Sequence, residues 1–234
     1  MSGTSLYRQV IDDLVGQIAR GDLAPGAMLP SEPDLGAVFG VSQGTARKAL
    51  IELESRGIVI RQQGRGTFVK IQTPEAALFH FFRLRRPDGS MPTPELIDQT
   101  LTRRKSTARE RDALTGAPTH VYQLIRSRKL DGTAAIHEKI VLPTTVFPGL
   151  IDRGPLPNTL YALFQSAYSC AIFRADETLV AGPPSQDAQT ALSLTTSDPV
   201  LAVERRAIDL LDRVVELRHS TYLTRDHIYQ IQLS

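Results

Sequence analysis

The chain has 234 residues, 41% of them hydrophobic, with 27 basic and 25 acidic side chains, enough for two modest domains. No apolar run reaches the roughly 20 residues that a bilayer span needs, and the opening MSGTSLYRQV lacks the layout of a secretory leader. The single cysteine, Cys170, excludes an intramolecular disulfide and a cysteine-based zinc site, and together these features predict a cytoplasmic protein.

The first 70 residues predict three helices and a hairpin. Leu6, Val10, Leu14 and Ile18 recur at helical spacing over 6–20, with Ile11 and Val15 widening the stripe. Gly21 closes that helix and Pro25-Gly26 turns the chain. Ser31 is placed to cap a short second helix, with Asp34 completing a capping box and Pro33 tolerated in the first turn. Gly40 ends it. Ser42 caps a third helix whose inner stripe is Ala46, Ala49, Leu50 and Leu53. Gln43 and Arg47, four apart, share its outer face. After Gly57, IVIRQQGRGTFV reads as two short strands joined at a glycine-flanked tip, with Gly64 and Gly66 on either side of Arg65.

Two tightly joined helices followed by a hairpin describe a winged helix-turn-helix, a fold whose second paired helix enters the major groove of duplex DNA. Charge agrees: residues 40–70 hold six basic side chains against two acidic ones, whereas residues 130–234 hold eight against twelve. Arg47 is placed to donate two hydrogen bonds to a guanine edge. Glycines at the wing tip let the backbone approach phosphates, and Arg65 suits a narrow, electronegative minor groove. Taken alone, Arg47 and Lys48 also fit a solvated helix face.

The run LPSEPDLGAVFGVSQGTARKALIELESRGIVIRQQGRGTFV strongly resembles the DNA-binding domain of the GntR family of bacterial transcription regulators. The resemblance implies operator contacts from Ser42, Gln43, Thr45 and Arg47, with Lys48 beside them, and from the wing at Gln63, Gly64, Arg65 and Gly66. It implies backbone contacts from Tyr7 and Ser31. Two positions depart from the family pattern: Pro33 and Gln43 stand where arginine is usual. Gln43 suits adenine instead of guanine, so an operator half-site unlike that of typical relatives is expected, with weaker non-specific binding.

Residues 71–78, IQTPEAAL, predict a short linker. Beyond it, Ala108–Leu114 reads as a helix and Thr119–Leu130 as a strand with Tyr122, Leu124, Arg126, Arg128 and Leu130 on one face. Asp131-Gly132 signals a hairpin, and Ala135–Leu142 returns. A three-residue loop sets Arg126 opposite Glu138; a two-residue loop shifts the register and breaks that pairing. Pro157–Tyr168 and Ser185–Leu194 read as helices. Pro199–Leu210 and Val214–Leu223 form a second strand pair, with Val215, Leu217, His219, Thr221 and Leu223 on one face and Glu216, Arg218, Ser220 and Tyr222 on the other. Mostly antiparallel strands with helices on one face predict an α+β domain. Its polar face is either open to water or a pocket for an anionic or polyhydroxylated ligand.

DGTAAIHEKIVLPTTVFPGL resembles the effector-binding domain of the HutC branch of GntR regulators, the UTRA domain, and NTLYALFQSAY, LAVERRAID and DRVVELRHSTYLTRDHIYQI match its later blocks. The resemblance implies a chorismate-lyase-like fold used as a sensor, with Arg126, Arg128, Glu138, Thr159, Tyr161, Glu216, Tyr222 and Tyr229 around the ligand. Thr159 stands where serine is usual. Phe79, Phe81 and Phe82 in LFHFFRLRRPDG are core or narrow the pocket. The ligand class stays open among sugar phosphates, carboxylates and others.

No catalytic residue, metal site or cofactor is predicted. The histidines at 80, 120, 137, 219 and 227 have no metal-ligand spacing, and no G-x-S-x-G motif occurs. Cys170, in SAYSCAIF, reads as core. The expected division is a head at 1–70, the linker at 71–78 and an effector-binding and dimerisation domain at 79–234. The expected function is a homodimeric repressor bound to an inverted-repeat operator and released by a small molecule. The alternatives are a ligand-independent DNA-binding dimer and a lyase-like enzyme domain fused to a DNA-binding head.

Overall fold

The structure is a computed structural model, and it describes residues 6–70 and 82–231. The expected linker, together with Phe79, His80 and Phe81, lies outside the described residues.

Helix α1 (Leu6–Arg20) buries Val10, Ile11, Leu14, Val15 and Ile18 and leaves Leu6 exposed. Helix α2 (Glu32–Phe39) starts at Ser31 and stops at Gly40, whose left-handed φ of 62° breaks the helix. The capping box is incomplete. Ser31 accepts from the Asp34 amide, but the Asp34 carboxylate accepts a hydrogen bond from the Ser31 hydroxyl at 2.5 Å instead of reaching back to the cap backbone. Helix α3 (Gln43–Ser55) buries Ala46, Ala49, Leu50 and Leu53, the predicted stripe, against α1 and α2. Strands β1 (Val59–Gln62) and β2 (Gly66–Val69) pair antiparallel with Gln62 opposite Gly66, so residues 63–65 form the wing tip. Gly64, at φ 72°, makes that turn affordable without a Cβ.

The second domain is one six-stranded antiparallel sheet in the order β4-β5-β6-β9-β8-β7. Its strands are β4 (Glu95–Lys105), β5 (His120–Leu130), β6 (Thr133–Pro143), β7 (Ile172–Gly182), β8 (Val200–Asp209) and β9 (Val214–Leu223). A minor pair, β3 (Leu84–Arg85) with β10 (Ile228–Tyr229), lies outside this sheet. Among the described residues three α-helices accompany it: α4 (Ala108–Ala113), α5 (Leu160–Tyr168) and α6 (Gln186–Leu192). They occupy both faces, not one. The main core packs α5, through Leu160, Tyr161 and Phe164, against Tyr122, Leu124 and Ile140. On the opposite face α4 and α6 border a hollow of about 570 Å³ above Lys139, Val141, Leu217 and His219.

Two bulges correct the predicted registers. The β5–β6 turn has only two residues, Asp131 and Gly132, both at positive φ, with Leu130 opposite Thr133. The two-residue loop nevertheless leaves Arg126 opposite Glu138, because the pairing skips Ala135 between Lys129↔Ala134 and Arg128↔Ile136. One extra residue in the strand offsets one missing from the loop. On β9, the pairing skips Val215 between Ile208↔Val214 and Ala207↔Glu216. Val215 therefore joins the α5 core with Tyr161, whereas Leu217 packs on the other face beside Val121 and Val141.

Candidate functional site

The head presents an exposed edge built from α3 and the wing. Ser42 caps α3, accepting from the Thr45 amide at 3.2 Å and sharing a hydroxyl bond of 2.9 Å with Thr45. Gln43 and Arg47 project outward on the same face, and Arg47 is 65% exposed. Its guanidinium lies 3.8 Å from Glu32, which also lies 3.5 Å from Arg61. Lys48 sits with its ammonium 4.3 Å from the centre of the Tyr7 ring, a cation–π pair. At the wing tip Gln63, Gly64, Arg65 and Gly66 are all exposed, and the Gly66 backbone packs against Met28. Ser31, also exposed, spends its hydroxyl on Asp34. Glu32 thus lies between Arg47 on α3 and Arg61 on wing strand β1.

The second constellation is buried. A small pocket, with about 30 Å³ of internal space, is lined by Arg126, Arg128, Glu138, Thr159, Tyr161 and Tyr222, and also by Phe82, Asn158, Leu160, Arg205 and Arg218. Glu138, fully buried, is the hub: Arg126 donates to it at 2.6 Å, Arg218 at 3.1 Å and Ser220 at 3.3 Å, while Arg128 stands 3.0 Å away. Burial opposes its charge, yet Arg126, Arg128 and Arg218 hold the carboxyl well below the usual range. Glu216 takes two bonds of 2.9 Å from Arg218 and one of 2.9 Å from the Tyr161 hydroxyl. Burial, then the Glu216 charge, pushes the Tyr161 hydroxyl up to about 12, so it stays a donor.

Two predicted positions stand behind the pocket wall. Glu216 orients Arg218 and Tyr161 from below. Tyr229 donates to Glu177 at 2.5 Å, and Glu177 in turn takes Arg205 at 2.6 Å. Arg205, Arg218 and Asn158 are not among the expected ligand-lining residues. Asn158 falls inside the helix expected over Pro157–Tyr168, but the helix begins at Leu160, which leaves Asn158 in the loop before it. Arg205 lies on β8 between Glu204 and Arg206, where only the sheet register reveals which charge turns inward.

The charges in and around the pocket are unequal. Four arginines (126, 128, 205 and 218) face three carboxylates (138, 177 and 216). Arg128 carries the deficit: its Nε has no hydrogen-bond partner, and its Nη1 reaches only Asn158 Oδ1 at 3.4 Å. Burial pulls its guanidinium down to about 10, against the pull of Glu138. A buried arginine short of acceptors favours an added anion.

Residues 6–69 match the model of the gntR family of bacterial regulatory proteins, and residues 93–227 match that of the UTRA domain. The chain belongs to the GntR family. Curated relatives resemble it over most of its length. The mannosyl-D-glycerate transport/metabolism system repressor MngR of Escherichia coli is 27% identical over 99% of this chain and 97% of its own. The transcriptional repressor STM4068 of Salmonella typhimurium is 31% identical over 88% and 86%. Among solved structures, PhnF from Mycobacterium smegmatis superposes with a TM-score of 0.56 at 24% identity, covering 96% of this chain and 99% of that one. The ligand-binding domain of a GntR regulator from Bordetella bronchiseptica gives 0.58 at 26%, covering 66% and 98%. The two curated relatives are named as repressors. The GntR head makes this chain a DNA-binding regulator, and the UTRA domain makes its second half a small-molecule sensor. No helix among the described residues is long and apolar enough to cross a membrane.

Proposed function

We propose that this regulator is a cytoplasmic repressor of the HutC branch that binds an inverted-repeat operator as a homodimer and is released by a small anionic effector. Residues 1–70 form the reading head, 71–78 the link, and 79–234 the sensor and dimer contact. In the head, Ser42, Gln43, Thr45 and Arg47 address base edges and nearby phosphates, and Gln63–Gly66 enter the neighbouring groove. Tyr7, Ser31 and Lys48 contact the backbone. A two-fold dimer matches an inverted repeat because the symmetry of protein and operator coincide.

The observation that carries the effector reading is Arg128, buried and short of acceptors in a pocket with more arginines than carboxylates. A carboxylate or phosphate oxygen there completes the ledger. Arg126, Arg128 and Thr159 face it, Tyr161 and Tyr222 flank it, and Glu138, Glu216 and Tyr229 hold the arginines and tyrosines in place. The effector changes operator affinity only through unequal affinity for the DNA-competent and incompetent arrangements.

The test is a panel of anionic metabolites screened by thermal shift, each hit then added to an operator mobility-shift assay. At 100 times its dissociation constant a true effector adds about 2.7 kcal/mol of stability. A panel with no stabilising member favours the ligand-independent dimer.

A further inference from the structure

Helix α5 touches the pocket at one end and the head at the other. Nine residues at about 1.5 Å per residue make it roughly 13 Å long. Its N-terminal residues, with Asn158 and Thr159 just before it, line the arginine pocket. Near its C-terminal end, Gln165, buried, donates its side-chain amide to the Lys70 carbonyl at 3.3 Å. Lys70 directly follows wing strand β2. Just past the helix, Ser169 approaches Gly21, and Phe173 and Leu210 pack against the hydrophobic core of the head.

At the pocket end Leu160 and Tyr161 sit in the core, but Thr159, the N-cap residue, makes no side-chain cap bond, so the first turn lacks the usual backbone anchor. Asn158 supplies the polar tie just ahead of it: its carbonyl accepts from Arg126 at 3.3 Å, its Oδ1 accepts from Arg128 at 3.4 Å, and its Nδ2 donates to the Pro94 carbonyl at 2.6 Å. The two arginine bonds are long and end on neutral oxygens. An anionic oxygen forms shorter bonds of about twice the strength with the same guanidinium groups. An anion in the pocket therefore competes directly with Asn158.

We propose that Asn158 is the positioning residue that couples the pocket to the head: an anion draws Arg126 and Arg128 off Asn158, the N-terminal turn of α5 is released, and the Gln165–Ser169 latch on the head loosens. The coupling presupposes the anion reading of the pocket. By linkage it is reciprocal, so a head held on its latch lowers the affinity of the pocket for anions by the same factor.

The structure offers a reporter for the latch. A Cβ built at Gly21 lies 4.0 Å from that of Ser169, within disulfide reach; Gly21 sits at φ 83°, so the cysteine there is strained and every variant is compared within the same cysteine pair. The full chain carrying Gly21→Cys and Ser169→Cys, with Cys170→Ala, is equilibrated in a glutathione buffer, and the cross-linked fraction reports the docked population. Asn158→Ala in this background lowers the docking equilibrium by about fivefold or more, the lower end of ordinary coupling. Asn158→Asp, which keeps an oxygen for Arg128 but loses the donor to the Pro94 carbonyl, falls between Asn158→Ala and the parent. Equal cross-linking in parent and Asn158→Ala overturns the proposal, as does equal loss in both variants. Inorganic phosphate then separates the two readings. If it raises the melting temperature of the parent but not of Arg128→Ala, the anion pocket stands; if cross-linking is nonetheless unmoved by phosphate, the coupling falls alone. If phosphate stabilises neither protein, the small-anion reading fails and the coupling falls with it.

Discussion

The arginines of the head and those of the sensor share a side chain and differ in everything around it. Arg47 and Arg65 stand exposed at the edge of the molecule, and Arg47 has only a loose contact with Glu32 at 3.8 Å. Arg126, Arg128, Arg205 and Arg218 are buried around shared carboxylates. An exposed cation keeps its full hydration and exchanges counter-ions cheaply, which suits a long, uniformly charged partner such as DNA. A buried cation has lost its water, so each missing acceptor is costly, which suits discrimination among small anions. The same residue type therefore reads a polymer in one half of the chain and a metabolite in the other.

The strongest way to break this contrast is to remove the hub. Glu138→Ala strips three buried arginines of their common carboxylate and is expected to cost about 3–5 kcal/mol of stability, read by urea denaturation. A loss near zero means those arginines are hydrated and the sensor is no different from the head. Next is Arg128→Ala, which is expected to cancel the roughly 2.7 kcal/mol that a saturating effector adds, measured as a lost thermal shift.

In the head, Arg47→Ala should remove about 1–3 kcal/mol of preference for the operator over random duplex, measured by competition binding. Lys48→Ala should weaken all duplexes alike and lower the slope of log affinity against log salt by about 1. If Lys48→Ala alters sequence preference instead, the division between reading and positioning residues in α3 is wrong.

The smallest effect belongs to Glu110, which Arg104 and the Thr107 amide bind at the start of α4. The Arg104 hydrogen bond, against partial burial, holds its carboxyl at about 2, below the usual 4.5. A depressed carboxylate contributes stability above its unfolded pKa and loses it as pH falls through the folded one. The stability gap between parent and Glu110→Gln, under about 1 kcal/mol at this partly exposed site, should therefore close between about pH 5 and pH 2. Denaturant titrations across that range check it.

The head was legible almost residue by residue, because its helices are amphipathic and its turns need glycine. The stripe Ala46, Ala49, Leu50 and Leu53 and the stop at Gly40 are local signals. The sensor was less so. Strands β4 and β7 escaped because they are the two edges of the sheet, largely exposed on both faces, and ELIDQTLTRRK shows no clean alternation. The bulges at Ala135 and Val215 are set by pairing across strands, which no single stretch encodes. Helices on both faces follow from connections between distant elements. Inside the pocket, alternation put Arg126 and Arg128 on one face, but their meeting with Glu138 depended on the bulge at Ala135, and Arg205 and Asn158 needed the assembled fold.

The most direct test is operator affinity, with and without the anion found by thermal shift, in the parent and in Arg128→Ala. Without the anion, Arg128→Ala, having lost its bond to Asn158, is expected to bind the operator no more tightly than the parent; adding the anion lowers the affinity of the parent and leaves that of the variant unchanged. A variant that responds to the anion as the parent does would show that the metabolite is sensed elsewhere, and the buried arginine pocket would lose its role.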